Sequence, residues 1–141
     1  MSYFNTINSL QEKRGFFMKK YMIMFALLAF APIAAKVQEI NSEKEFYDAI
    51  AHGVSVVKFY APGCPSCKGA LHTFEQLSKE HSNIHFISVD ANDYQQLKEK
   101  YGVPGFPTFV YFKDGRDLGK KHSGMTDGLK SKIEANLASI K

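Results

Sequence analysis

Val57-Lys58-Phe59-Tyr60-Ala61-Pro62-Gly63-Cys64-Pro65-Ser66-Cys67-Lys68 joins a strand to a helix through a pair of thiols. With Val54-Ser55-Val56 before it, the first part is β-branched and aromatic, the composition of a central strand, and Ala61-Pro62-Gly63 breaks the run. From Pro65 to His81, Ala70, Leu71, Phe74, Leu77 and Ser78 recur at three-and-four spacing, so an amphipathic helix begins at the cysteines. Pro65 suits the start of that helix, because the N–H it lacks has no helical partner there.

This placement has chemical meaning. A thiol at a helix N-terminus faces unpaired N–H groups and the positive end of the helix dipole, and both favour the thiolate. The thiolate is the attacking species in disulfide exchange, so a thiol pKa brought toward ambient pH raises its population while keeping it nucleophilic. Cys64 therefore reads as the nucleophile. Cys67, one turn further in, reads as the thiol that resolves a mixed disulfide by attacking the first sulfur, and Pro65 and Ser66 between them are candidates for tuning the pKa.

Outward from this segment, short β-rich runs alternate with helical ones. Val37 to Ile40 reads as a short strand, and Ser42-Glu43-Lys44-Glu45 as a capping box opening a helix to about Ala51, ended by His52-Gly53. Ile84 to Val89 is a second buried-strand candidate, followed by a short polar helix from Asp93 to Tyr101. Thr108 to Lys113 is a strand, Asp114-Gly115 a turn, and Arg116 to Ser123 a weaker strand. Thr126 to Ile140 closes the chain as a helix, with Leu129, Ile133, Leu137 and Ile140 on one stripe. The order β-α-β-α-β-α-β-β-α predicts a mixed sheet covered by helices on both faces.

Two signatures together resemble the thioredoxin family, nearer in wording to its protein disulfide isomerase members. The first is the strand, loop and helix start from Val57 to Lys68. The second is Tyr101-Gly102-Val103-Pro104-Gly105-Phe106-Pro107-Thr108, followed by Phe112-Lys113-Asp114-Gly115. The resemblance spans residues 37–140. It implies a three-layer α/β fold with a central mixed β-sheet flanked by helices, a cis-proline at Pro107 facing the cysteines, and a Phe106 backbone that pairs with the bound substrate chain.

The sequence departs from the family in three places. Gly63 stands where members usually carry Trp, which makes the lip of the site less apolar. Lys58 stands where many members bury an acid beneath the resolving cysteine; near the thiols, its ammonium favours the thiolate and a more oxidising pair. The competing expectation is a lysine that snorkels out of a buried strand. Pro65-Ser66 lacks the histidine of stronger oxidants, which leaves the direction of electron flow open.

The chain has 141 residues, 18 Lys plus Arg against 14 Asp plus Glu, and a formal net charge of +4. At 45% hydrophobic and 23% charged residues it is an ordinary globular mix, which excludes a disordered chain. Two cysteines are too few for a disulfide-dense scaffold. The positive charge is concentrated in Lys13, Arg14, Lys19 and Lys20, with Glu12 the only acid before Lys36; the remainder is nearly neutral, so no anionic partner is indicated. Met18-Lys19-Lys20, the apolar run Tyr21 to Ala31 and Pro32-Ile33-Ala34-Ala35 have the parts of a secretory signal, with cleavage expected after Ala35 and Met18 an alternative start. Residues 1–35 are then a signal peptide and 36–141 the working domain. The apolar run is short for a membrane span, which needs about 20 residues; an anchor is the alternative if the segment is retained. Export implies an oxidising compartment, periplasmic or extracellular.

The expected function is an exported thiol–disulfide oxidoreductase, acting as a monomer on cysteine-containing proteins and recycled by an unidentified redox partner, without cofactor, metal or nucleic acid. Two alternatives stand beside it. One is a binding or chaperone module on the same fold without redox turnover. The other is a zinc module, because Cys64-x2-Cys67, thirteen residues and His81-x3-His85 match a Cys2His2 spacing, although His85 lies in a strand-like run. His52, His72 and His122 have no catalytic partner at motif spacing and are expected at the surface, and Lys120-Lys121-His122 reads as a solvated edge strand.

Overall fold

Apolar strands that alternate with amphipathic helices can bury both faces of a sheet only if the helices cross to opposite sides. The computed structural model, which describes residues 36–124 and 127–140, has this arrangement. The signal and anchor readings of residues 1–35 fall outside the described residues. In chain order the elements are β1 (Gln38–Glu39), α1 (Glu43–Ile50), β2 (Val54–Tyr60), α2 (Pro65–Glu80), β3 (Ile84–Asp90), α3 (Gln95–Lys100), β4 (Thr108–Lys113), β5 (Arg116–Ser123) and α4 (Leu129–Ala138). The strands form one sheet ordered β1-β3-β2-β4-β5. β3 is parallel to both β1 and β2, whereas β4 is antiparallel to β2 and β5 to β4.

Period-two alternation divides the core between the two faces. Val57, Phe59, Ile87, Val89, Val110 and Phe112 meet Phe46 and Ile50 of α1 and Leu97 of α3 on one face. Val56, Phe86, Phe109 and Tyr111 meet Ala70, Phe74 and Leu77 of α2 and Leu129, Ile133 and Leu137 of α4 on the other. Each fully buried large side chain contributes about 1.5–3 kcal/mol. The rings also interlock: Phe74 meets Phe86 edge-on at 5.0 Å, and Tyr101 meets Phe112 at 5.1 Å.

The local signals act as chemistry requires, with one adjustment. Ser42 caps α1, its side chain accepting from the Glu45 N–H at 3.1 Å. The reciprocal bond of a capping box lands one residue earlier, on the Asn41 N–H, at 3.0 Å from Glu45 Oε2. The closing helix starts with its apolar stripe, at Leu129. Gly128 holds φ 87, a left-handed conformation outside the helix, so α4 opens directly after it; the expected start at Thr126 lies outside the described residues.

His122 corrects the surface expectation. Pairing of His122 with Phe109 places it on the α2/α4 face of β5, where it is buried. Its ring stacks on Phe109 at 4.9 Å, and Nδ1 lies 3.4 Å from the Tyr111 hydroxyl. The stretch Lys120 to His122 is thus only partly solvated: Lys121 is exposed, and its ammonium donates to the carbonyls of Tyr101 and Gly102 at 2.9 and 3.3 Å.

Candidate active site

Register carries the redox site to one end of the sheet. Phe59 is paired with Thr108, so the loop leaving β2 and the loop entering β4 emerge side by side. The first holds Ala61-Pro62-Gly63-Cys64, and the second holds Gly105-Phe106-Pro107. Gly63 takes φ 78, a turn conformation natural to glycine, and swings the chain into α2.

Cys64 is the N-cap of α2 and Pro65 its first residue. Cys64 and Cys67 are joined as a disulfide with their Cα atoms 5.3 Å apart. The Cys67 amide N–H points at Cys64 Sγ from 3.2 Å. This is the unpaired N–H of a helix start aimed at sulfur, the device that favours a thiolate once the pair is reduced. Cys64 is partly exposed, whereas Cys67 is buried, which suits an attacking and a resolving thiol respectively. Pro65 and Ser66 are exposed on the first turn.

Across from Cys64, the carbonyl oxygen of Phe106 lies 4.0 Å from Sγ. The Phe106–Pro107 peptide is cis, Phe106 is half-buried and Pro107 is buried. Residues that sequence reasoning did not single out fix this loop. The Thr108 hydroxyl lies 2.7 Å from the Gly105 carbonyl and 2.6 Å from Ser123 Oγ, and the Gly124 N–H donates to the Pro107 carbonyl at 2.8 Å.

Lys58 is buried on the side of β2 that faces α2. Its nitrogen sits 5.3 Å from the ring centres of both Tyr60 and Phe74. It lines a cleft of about 250 Å³ together with Cys64, Cys67, Glu39, Tyr60 and Leu71. Burial pulls the Lys58 pKa below the ordinary lysine value, against the opposing pull of Glu39 and Glu75. Tyr60 donates to Glu39 Oε1 at 2.6 Å, and burial together with this bond raises the phenol pKa. Glu39 and Tyr60 were not legible as site residues; only their shared face with Lys58 could have pointed to them.

The zinc spacing does not assemble. Cys64 and Cys67 open the sixteen-residue α2 and His81 caps its far end, a span of roughly 24 Å at 1.5 Å per residue, while His85 is an exposed residue of β3. His81 instead approaches Glu80 and Glu134.

A disulfide that caps a helix, opposed by a proline loop at the end of a mixed sheet, is the arrangement of a thiol–disulfide oxidoreductase. The thioredoxin family model matches residues 36–135, and the chain belongs to the thioredoxin family. Mitochondrial thioredoxin-2 of Schizosaccharomyces pombe is 33% identical over 74% of this chain and 84% of its own length. Glutaredoxin-3 of Bos taurus is 29% identical over 77% of this chain, but the match spans about a third, 34%, of that longer relative. Among solved structures, a thioredoxin of Malassezia sympodialis superposes with a TM-score of 0.64 at 30% identity, covering 74% of this chain and 90% of that one.

Proposed function

We propose that the chain is an exported thiol–disulfide oxidoreductase that exchanges disulfides with cysteine-containing proteins. The observation that carries the reading is the position of Cys64 Sγ, within reach of the Cys67 N–H and 4.0 Å from the Phe106 carbonyl. In the reducing direction the Cys64 thiolate attacks a target disulfide. A Cys64–target bond forms, and the other target sulfur leaves as a thiolate. Cys67, deprotonated, then displaces the remaining target sulfur, and two electrons have passed from the pair to the target. The substrate chain lies extended along the backbone of Phe106 during the mixed disulfide, and Pro107 presents no N–H to compete with it. The reverse sequence oxidises a dithiol. A redox partner returns the pair to its starting state.

Reduction of insulin by the wild type and by Cys64→Ser tests the activity. The wild type is expected to turn over and the variant to be inactive; equal rates in both refute an enzymatic role for the pair. The potential of the pair then sets direction: a value near about −270 mV makes it a reductant and one near about −120 mV an oxidant.

Support for export comes from the basic and apolar segment before Lys36. Sequencing the N-terminus of protein recovered from its native cells checks it, with Lys36 expected as the first residue. An intact N-terminus in a cytosolic fraction rejects export.

A further inference from the structure

A lysine in the middle of a buried strand has to lead its charge to water somewhere. The stem of Lys58 runs between β2 and α2, and the cleft it lines on the way out is the one lined by both cysteines of the redox pair. Among the described residues no carboxylate comes within ion-pair distance of its nitrogen. Its close neighbours are the faces of Tyr60 and Phe74. The charged and titratable groups around it are Glu39 from β1, Tyr60 from β2, and Glu75, Lys68 and the two cysteines from α2. Glu39 is already engaged by the Tyr60 hydroxyl.

A positive charge in such a cleft meets no sulfur-borne anion while the disulfide is closed. Reduction creates one. We propose that Lys58 is a positioning residue for the redox pair, its ammonium stabilising the thiolate of the reduced form and so making the disulfide a stronger oxidant. This inference rests on the redox reading above. The reaction it biases is the opening of the Cys64–Cys67 bond by two molecules of glutathione. One glutathione disulfide forms, two electrons enter the pair, and the pair emerges as one thiolate and one thiol with a proton released to solvent. Only the right-hand side carries the thiolate that Lys58 stabilises. Removing the charge therefore shifts the equilibrium to the left.

The test is the equilibrium of the full chain with a reduced and oxidised glutathione buffer, combined with a pH titration of the thiolate absorbance. The wild type is compared with Lys58→Met, Lys58→Gln and Lys58→Arg. Methionine and glutamine are expected to shift the equilibrium about tenfold toward the disulfide, equivalent to about 30 mV more reducing, and to move the thiolate titration to higher pH. Arginine, which keeps the charge, is expected to stay near the wild type. Glutamine serves if methionine disturbs the packing. Unchanged equilibrium and titration in the uncharged variants overturn the role of Lys58, as does an arginine variant that shifts as far as methionine. A wild-type pair that never equilibrates with glutathione overturns the redox reading itself, and is distinguishable because it fails before any variant is compared.

Discussion

Cys64 Sγ lies 4.0 Å from the carbonyl oxygen of Phe106, a residue 42 positions away in the chain. The antiparallel pairing of β2 with β4 produces this proximity, because Phe59 opposite Thr108 fixes where the two loops leave the sheet. In the exchange proposed above, a substrate chain lying along Phe106 would be held against the sulfur, and orientation of this kind is what turns an intermolecular exchange into a positioned one.

The burial difference between the two cysteines predicts a trap. Cys67→Ser leaves the nucleophile but removes the resolving thiol, so mixed disulfides with protein targets are expected to persist instead of turning over. Non-reducing electrophoresis followed by mass spectrometry reads the adducts. Their absence from Cys67→Ser, or an equal yield from Cys64→Ser, contradicts the assigned roles.

Thr108 is buried and ties the proline loop to the sheet through its hydroxyl. Thr108→Val keeps the shape but leaves the Gly105 carbonyl without that donor, at a cost of about 1–2 kcal/mol. Urea unfolding is expected to show the loss, and insulin reduction to show a raised KM with the reduction potential unchanged. A potential that moves with KM places Thr108 in the redox chemistry instead.

At Gly63 the cost is one of backbone conformation alone. A Cβ there meets nothing within 4 Å, yet the residue holds φ 78. Gly63→Ala is expected to lower stability by about 1 kcal/mol through left-handed strain. No loss on denaturation means the turn adopts another conformation in solution.

His122 makes stability depend on pH. Burial and the nearby Lys132 push its pKa down to about 4, so the folded protein holds it neutral. In the unfolded chain it protonates near about 6.5. The associated stability is therefore complete above the unfolded value and is lost as pH falls from there through about 4, on the order of a few kcal/mol. Denaturation midpoints between pH 4 and 7 are expected to flatten in His122→Leu relative to the wild type. Parallel slopes remove His122 as the cause.

The strand and helix order was readable because each element carries its own period and punctuation, and the thiol pair was readable because its chemistry needs only a strand-to-helix junction. His122 was not readable. Lys120-Lys121-His122 looks like one charged stretch, but alternate residues of β5 face opposite ways, and the face that His122 takes is set by its pairing with Phe109 on the neighbouring strand. Glu39 escaped notice for a related reason, since nothing within a two-residue strand reveals a partner on β2.

By itself, then, the sequence determined the layered α/β order and the placement of Cys64 and Cys67 at a helix start, properties set by neighbours along the chain. Tertiary structure alone decided what surrounds them: the Phe106 carbonyl across from Cys64, the hydroxyl of Thr108 beneath the proline loop, and the cleft into which Lys58 carries its charge. These depend on strand register and on which sheet face a helix covers, and both are settled by long-range packing of apolar side chains.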